Sequence, residues 1–180
     1  MSNQANKHEQ RSIRTSYDSQ ENKLWGYAAI FDTPTEIREY GRTFTEIVRR
    51  GAFQRSLGEN KDIICTFNHD VGKLLGRTSS QTLTIKEDKV GLYFEVVLSP
   101  EIETHREVRE LALRGDLLGA SFTFAVPKPE GEAWASNTRE LKDLDLFELG
   151  PVVMPAYKDT KLGMRSNDRY FYKLLLREKL

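Results

Sequence analysis

Residues Arg114–Val126 read Arg-Gly-Asp-Leu-Leu-Gly-Ala-Ser-Phe-Thr-Phe-Ala-Val, and the rest of the chain is best interpreted from this stretch. After Ala120, small residues alternate with large apolar ones, which is typical of a strand whose successive side chains point to opposite faces. One face carries Ser121, Thr123 and Ala125, and the other carries Phe122, Phe124 and Val126. The pattern predicts a strand anchored by its aromatic face with a serine hydroxyl on the other. That hydroxyl alone is a weak sign of catalysis, because half-exposed serines are common and the Gly-x-Ser-x-Gly turn is absent.

The composition narrows the classes of protein that the chain can belong to. It has 180 residues and a formal net charge of zero, from 27 basic and 27 acidic side chains. Such a balance argues against binding nucleic acid or anionic lipid through excess positive charge. No apolar run approaches the roughly 18 residues of a membrane helix, and the polar N-terminus has no secretory signal. The single cysteine, Cys65, suits a reducing compartment, so we expect a cytoplasmic protein without nucleic-acid or membrane partners.

Composition also divides the chain into three regions. Residues 1–22 are polar and predict a flexible N-terminal arm. Residues 23–166 form the main domain, in which short strands separated by turns indicate a meander in a curved sheet or barrel. Residues 167–180 predict a C-terminal amphipathic helix. Within the main domain the predicted strands are Leu24–Phe31, Arg42–Val48, Lys61–Phe67, Leu74–Arg77, Thr82–Glu87, Gly91–Leu98, the Ser121 strand and Thr138–Leu149, with helices at Gly51–Leu57 and Glu101–Arg114 and a loop at Pro127–Asn137.

A nucleophilic serine needs a base, and imidazole is the side chain that titrates near neutrality. His8 lies in the predicted arm, and His105 is expected on the solvated face of the 101–114 helix. His69 directly follows a predicted buried strand, in the polar turn Asn68-His69-Asp70, so it is the candidate base. From periodicity alone, an ordinary turn histidine that pairs with neighbouring backbone or with Asp70 is the more frequent case.

A third group is expected to fix the imidazole tautomer and stabilise the imidazolium. Glu148 is the first candidate, because it lies in the apolar run Leu146–Val153, where a carboxylate is costly to bury without a partner. Asp145 is the second candidate and Asp70 the third. Glu148 equally fits a strand-edge carboxylate that faces water.

Other chemistries are less well supported by the residues. Cys65 could act as a nucleophile with His69, but its apolar neighbours predict a buried and inert thiol. One cysteine and three scattered histidines make no zinc spacing, and there is no Gly-rich phosphate loop. The sequence therefore calls for no metal and no cofactor.

Ten short motifs, in one collinear order, carry a resemblance to a known family. They are Gly26–Asp32, Gly51–Phe53, Phe67–Asp70, Leu75–Thr78, Thr82–Leu83, Gly91–Phe94, Arg114–Asp116, Gly119–Phe124, Leu146–Val152 and Pro155–Thr160. Over about residues 24 to 166, the chain resembles the prohead (capsid maturation) proteases of HK97-type tailed phages, which are similar in fold to the herpesvirus assemblins. Each motif is weak alone, and their joint order is a strong signal.

The resemblance implies a serine endopeptidase with an α+β fold, in which a few helices surround a curved, antiparallel-rich β-barrel. It assigns the family's histidine to His69 and its serine to Ser121. The assemblins use a second histidine after the serine, but this chain has none there. An acid must serve instead, and Glu148 lies at a suitable distance along the chain. Arg50 stands where the family would have proline, a difference that affects a turn rather than the chemistry.

The resemblance also implies a biological role. The enzyme would lie inside the procapsid, in the cytoplasm of the bacterial host, and cleave the scaffold, the N-terminal part of the major capsid protein, or both, and itself. The alternatives are a non-catalytic assembly protein with the same fold and an esterase-like hydrolase of small acyl substrates. Backbone N–H groups would have to stabilise the oxyanion, and the sequence leaves open which ones do so and whether Arg77 or Arg165 contributes. The Tyr170–Leu176 stripe fits core packing first, and self-association into a homo-oligomer or docking of the scaffold second.

Overall fold

A computed structural model of the chain describes residues 16–18, 22–39, 41–59, 61–117 and 119–155. In these residues the chain forms twelve strands and two α-helices, which confirms the α+β class. The strands are β1 (Ser16–Asp18), β2 (Lys23–Ile30), β3 (Thr35–Glu39), β4 (Arg42–Val48), β5 (Ile64–Phe67), β6 (Asp70–Arg77), β7 (Leu83–Glu87), β8 (Gly91–Val97), β9 (Gly119–Ala125), β10 (Glu132–Ala135), β11 (Thr138–Leu141) and β12 (Asp145–Val152); the helices are α1 (Gln54–Gly58) and α2 (Glu103–Arg114). Neither helix is long and apolar enough to cross a membrane.

The strands form three four-stranded sheets, so the expected closed β-barrel is not present in the described residues. The first sheet has the order β1-β2-β8-β7 and is antiparallel throughout. The second, β10-β11-β4-β3, contains the parallel pair β11 and β4, and the third, β6-β5-β12-β9, contains the parallel pair β12 and β5. Within the part of the chain that the structure describes, each sheet ends in two edge strands that pair with a single neighbour, so none of the three sheets closes on itself.

The predicted meander is wrong in its connections, although its strands are present. β5 and β6 form a hairpin in the third sheet, whereas β7 and β8 form a hairpin in the first. The two hairpins belong to different sheets because each pairs with a strand distant in the chain: β5 pairs with β12, and β8 pairs with β2. Alternating hydrophobicity identifies a strand but does not choose its neighbour, so the sheet assignment could not follow from the pattern.

Two predicted irregular regions contain strands. Ser16–Asp18, expected in the flexible arm, pairs with β2, and part of the expected loop at Pro127–Asn137 forms a 3₁₀ turn (Pro129–Gly131) and strand β10. Strand β10 is held to β11 by antiparallel pairing and by an ion pair between Glu132 and Arg139 (2.6 Å). The predicted C-terminal helix over residues 167–180 lies outside the described residues.

Helix α2 lies within two residues of its predicted bounds, but its histidine, His105, is not on the predicted solvated face. The helix ends at Gly115, which adopts the left-handed conformation (φ 78°) that glycine tolerates best. His105 is only 5% exposed, so its expected place on the solvated face is wrong. Its Nδ1 accepts the Ser99 N–H (2.9 Å) and its Nε2 lies 3.0 Å from the Leu74 carbonyl oxygen. The ring therefore links α2 to β6 and is unavailable as a catalytic base.

The aromatic face of β9 anchors that strand to the core, as predicted. Phe122 packs edge-to-face on the fully buried Phe53, with ring centroids 5.4 Å apart. Helix α1, which starts just after Phe53, is in turn tied to β12, because the buried Ser56 hydroxyl accepts the Leu146 N–H (2.9 Å). These contacts fix β9 and β12 against one another from the core side.

Candidate active site

His69 lies in a two-residue turn between β5 and β6, and both turn residues adopt a left-handed backbone conformation. Asn68 and His69 both have positive φ values, 55° and 59°. A pair of such residues makes the tight hairpin turn whose twist suits antiparallel strands, but outside glycine this conformation costs about 1–2 kcal/mol per residue. Asn68 also fixes the turn to the end of β12, donating its N–H to Pro151 (3.0 Å) and accepting the Val153 N–H at Oδ1 (2.9 Å).

A bulge in β12 sets the direction in which Glu148 points. Opposite β9, Leu146 pairs with Phe124, and Glu148 pairs with the next residue, Thr123, so Phe147 is an extra residue. Since residues directly opposite share a face, Leu146 and Glu148 point to opposite faces of the sheet. In a regular strand these two residues would share a face, so strict alternation does not describe this segment.

The bulge brings Glu148 to the same face as Ser121. Ser121 and Thr123 are two residues apart in β9 and share a face, and they pair with Gly150 and Glu148 respectively. Ser121 is half-buried, whereas Glu148 is 1% exposed. The expectation of a buried carboxylate is confirmed, and the water-facing alternative is wrong.

Three hydrogen-bonding groups surround the Glu148 carboxylate. His69 Nδ1 lies 2.6 Å from Oε2, and the hydroxyls of Thr66 and Thr123 donate to Oε1 (2.6 Å) and Oε2 (2.9 Å). An ionised carboxylate only accepts hydrogen bonds, so a neutral His69 that bonds to it carries its proton on Nδ1, which leaves Nε2 unprotonated and able to act as a base.

A glycine makes this arrangement sterically feasible. A Cβ placed on Gly150 would lie 1.9 Å from the carbonyl oxygen of Thr66, so only glycine allows β5 to approach β12 this closely. The side chain of Thr66 reaches Glu148 from that neighbouring strand. Gly150 is also the residue opposite Ser121.

The other acidic candidates have different partners. Asp145 accepts hydrogen bonds from Arg55 (2.8 Å) and Lys61 (3.2 Å), and Asp70 accepts the N–H of Gly72 (2.9 Å) at the start of β6. Neither carries a hydrogen bond to His69 among the contacts of the described residues.

Of the two arginines considered near the oxyanion and the remaining histidine, the structure describes only Arg77. Arg77 is exposed and pairs with Asp62 (3.2 Å). Among the described residues it makes no hydrogen bond or ion pair with the Glu148 cluster, by which we mean Glu148, His69, Thr66 and Thr123. Arg165 and His8 lie outside the described residues.

Cys65 is fully buried in the core, as its apolar neighbours predicted. Burial raises the pKa of its thiol well above the usual value, and the charge of Glu148 raises it further. A thiol held in its neutral form is a poor nucleophile, so the cysteine alternative is not supported. Over the described ranges no group of three or more His, Cys, Asp or Glu residues is placed to hold a metal ion.

The sequence did not predict the roles of Thr66, Thr123 and Asn68. A signal was present for Thr66, which is a polar residue in the otherwise apolar run Ile63–Phe67, the same kind of exception that singled out Glu148. Thr123 shares the small-residue face with Ser121, so its proximity to the site could have been anticipated. No local pattern indicates the anchoring contacts of Asn68, because they depend on a strand more than eighty residues away.

Comparison with known proteins gives one informative result. The family model described as caudovirus prohead serine protease matches residues 9–171, which is most of the chain and includes every residue of the Glu148 cluster. No curated protein and no solved structure matches the chain. The extent of this match shows that the chain belongs to the family of caudovirus prohead serine proteases.

Proposed function

We propose that Ser121, His69 and Glu148 are the nucleophile, the general base and the orienting acid of this capsid maturation protease. The contact of 2.6 Å between His69 Nδ1 and Glu148 Oε2 is the observation that carries the proposal. It is supported by the strand register, which puts Ser121 on the same face as Glu148, two residues from the Thr123 that touches the carboxylate.

In the first half-reaction, Ser121 Oγ attacks the carbonyl carbon of the scissile peptide bond while its proton passes to His69 Nε2. Glu148 stabilises the resulting imidazolium through the Nδ1–H hydrogen bond. The carbonyl oxygen becomes an oxyanion, which backbone N–H groups must stabilise. Collapse of this intermediate breaks the C–N bond, and the imidazolium donates its proton to the leaving amine.

In the second half-reaction, water replaces the amine. His69 removes a proton from the water as its oxygen attacks the acyl carbon, and then returns a proton to Ser121 Oγ as the ester bond breaks. The products are a free carboxylate and the regenerated enzyme, so the cycle needs no metal or cofactor.

The proposed substrates are the scaffold, the N-terminal segment of the major capsid protein, or both, and the protease itself, cleaved inside the procapsid in the host cytoplasm. Membership of the prohead protease family supports capsid proteins as the substrate class. Self-association through residues outside the described ranges stays a prediction.

Co-expression with the major capsid protein of the same phage or prophage tests this function. The wild-type chain should give a shortened capsid protein, with the new terminus located by mass spectrometry. Ser121→Ala and His69→Ala should leave the capsid protein at full length. Ser79→Ala, at an exposed serine in the turn before β7, is the matched control and should process normally.

Two outcomes would contradict different parts of the proposal. Processing by Ser121→Ala at the wild-type rate would mean that the nucleophile is assigned to the wrong residue. Failure of the wild-type chain to shorten the capsid protein, while a fluorophosphonate still labels Ser121, would leave the catalytic site in place and reject the capsid protein as a substrate.

A further inference from the structure

The hydroxyls of Thr66 and Thr123 both donate hydrogen bonds to the Glu148 carboxylate, from the two strands that flank β12. Thr66 lies on β5 and donates to Oε1, and Thr123 lies on β9 and donates to Oε2, so the central strand β12 has its carboxylate held from both sides. Thr66 is fully buried and Thr123 is 5% exposed. We propose that these two threonines are positioning residues, which set the plane of the Glu148 carboxylate and thereby fix the proton of His69 on Nδ1.

The hydrogen-bond directions follow from the chemistry of the groups. An ionised carboxylate only accepts, so both threonine hydroxyls must donate their single proton to it. Thr123 Oγ1 also lies 3.4 Å from His69 Nδ1, but its proton is already directed to Oε2 at 2.9 Å. The hydroxyl can therefore face the ring only as a weak acceptor. Both contacts favour a proton on Nδ1 and disfavour the tautomer with a proton on Nε2, which could not serve as a base.

The two threonines also remove the freedom that a single contact would leave. With His69 as its only partner, the carboxylate plane could turn about its terminal C–C bond without losing another contact. With Thr66 bonded to one oxygen and Thr123 to the other, turning the plane away from its present angle would break buried hydrogen bonds, which cost more than exposed ones because no water replaces them. The plane therefore stays at the angle that directs one oxygen to His69 Nδ1. A charge held by neutral donors also keeps its attraction for the imidazolium that forms during reaction, which a fixed cation would cancel.

This inference rests on the proposed roles of Ser121 and His69, and it is tested with a probe that needs no natural substrate. A biotinylated fluorophosphonate reacts with an activated serine: Ser121 Oγ forms a bond to phosphorus, fluoride leaves, and the serine proton passes to His69 Nε2. The rate of labelling at saturating probe reports the activation of the serine. The probe concentration that gives half of that rate reports binding.

Thr66→Val and Thr123→Val keep the shape of each side chain and remove the hydroxyl. We expect each to lower the saturating labelling rate by roughly tenfold to a hundredfold, because a hydrogen bond to a buried charge is lost, with little change in half-saturation. The acidic limb of the pH–rate profile should move to higher pH, since a carboxylate with one donor fewer attracts the imidazole proton more strongly. Thr66→Ser and Thr123→Ser should restore most of the rate.

Ser56→Ala is the matched control. It removes another fully buried hydroxyl that bonds to β12, at Leu146, without touching Glu148. We expect it to lower the free energy of unfolding while leaving the labelling rate and the pH profile unchanged. A purely structural role for the threonines predicts the same behaviour for the valine variants, so the two explanations separate.

Several results would overturn the inference. One is labelling by both valine variants at the wild-type rate; another is a loss without a shift of the pH profile and without rescue by serine. If a valine variant does not fold, the unaltered chain decides: NMR at low temperature should show slowly exchanging hydroxyl protons at Thr66 and Thr123 and a downfield Nδ1 proton at His69, and their absence counts against it. A wild-type chain that the probe does not label at Ser121, with these signals present, would instead reject the proposed nucleophile.

Discussion

Strand β12 carries two carboxylates three residues apart, Asp145 and Glu148, which have different kinds of hydrogen-bonding partner. Asp145 is paired with two cations, Arg55 and Lys61, and its side chain is 19% exposed. Glu148 is 2% exposed at its side chain and is held by one imidazole and two neutral hydroxyls. Both acids were candidates for the same role from the sequence, and their partners distinguish them.

The difference lies in what the partner can do during a reaction. The hydrogen bond with Asp145 raises the pKa of Arg55 above its ordinary value, so the guanidinium stays charged and its pairing with Asp145 does not change over a catalytic cycle. An imidazole can gain and lose a proton near neutrality. In the proposed mechanism the Glu148 site therefore responds to proton transfer at His69, whereas the Asp145 site contributes to stability.

The largest expected effect comes from neutralising each acid in turn. Glu148→Gln should lower kcat by on the order of 10⁴-fold, because the amide no longer stabilises the imidazolium and can favour the wrong tautomer of His69. Asp145→Asn should change kcat by less than about threefold, an amount equivalent to under about 1 kcal/mol. Both are measured as rates of capsid protein cleavage or of fluorophosphonate labelling. Equal losses in the two variants would refute the contrast between the sites.

The next largest expected effect tests whether stability and activity depend on the close approach of β5 to β12 beside Glu148. Gly150→Ala places a methyl group where Thr66 O now lies, so we expect it to lower the free energy of unfolding by about 3 kcal/mol and to reduce activity. Gly58→Ala is the control, since nothing lies within 4 Å of its added Cβ, and its unfolding free energy should change by less than about 0.5 kcal/mol. Chemical denaturation measures both, and similar stabilities would show that β5 can move without cost.

The smallest expected effect is on stability and comes from removing one of the two cations that pair with Asp145. Arg55→Met removes a guanidinium that pairs with Glu59, Asp143 and Asp145, and should lower the unfolding free energy by about 1 kcal/mol, with the loss shrinking in concentrated salt. Cleavage by the folded variant should stay at the wild-type rate. Arg38→Met, at a more exposed ion pair with Glu36, should cost less. A large loss of activity in Arg55→Met would mean that the Asp145 cluster also serves the site.

Much of the local structure could be predicted from the sequence, because it depends on short-range chemistry. The alternation after Gly119, the buried run before His69 and the helix closed by Gly115 all appear in the structure near the expected residues. The choice of His69 over His105 was also reached from local context. His105 nevertheless proved to be buried, since its partners, Ser99 and the Leu74 carbonyl, involve an element that the helix pattern does not include.

The sequence by itself determined which residue types were available for the chemistry: one serine on a small-residue face, one histidine after a buried strand, and acids in an apolar run. Tertiary structure decided which acid faces the histidine, because the bulge at Phe147 turns Glu148 to the face that carries Thr123, whereas Asp145 lies three residues away among cations. It also decided the partners of β5 and β8 and the contacts of Thr66 and Thr123. The physical reason is range: side-chain periodicity acts within one strand, whereas bulges, strand partners and buried hydrogen bonds depend on segments that are far apart in the chain.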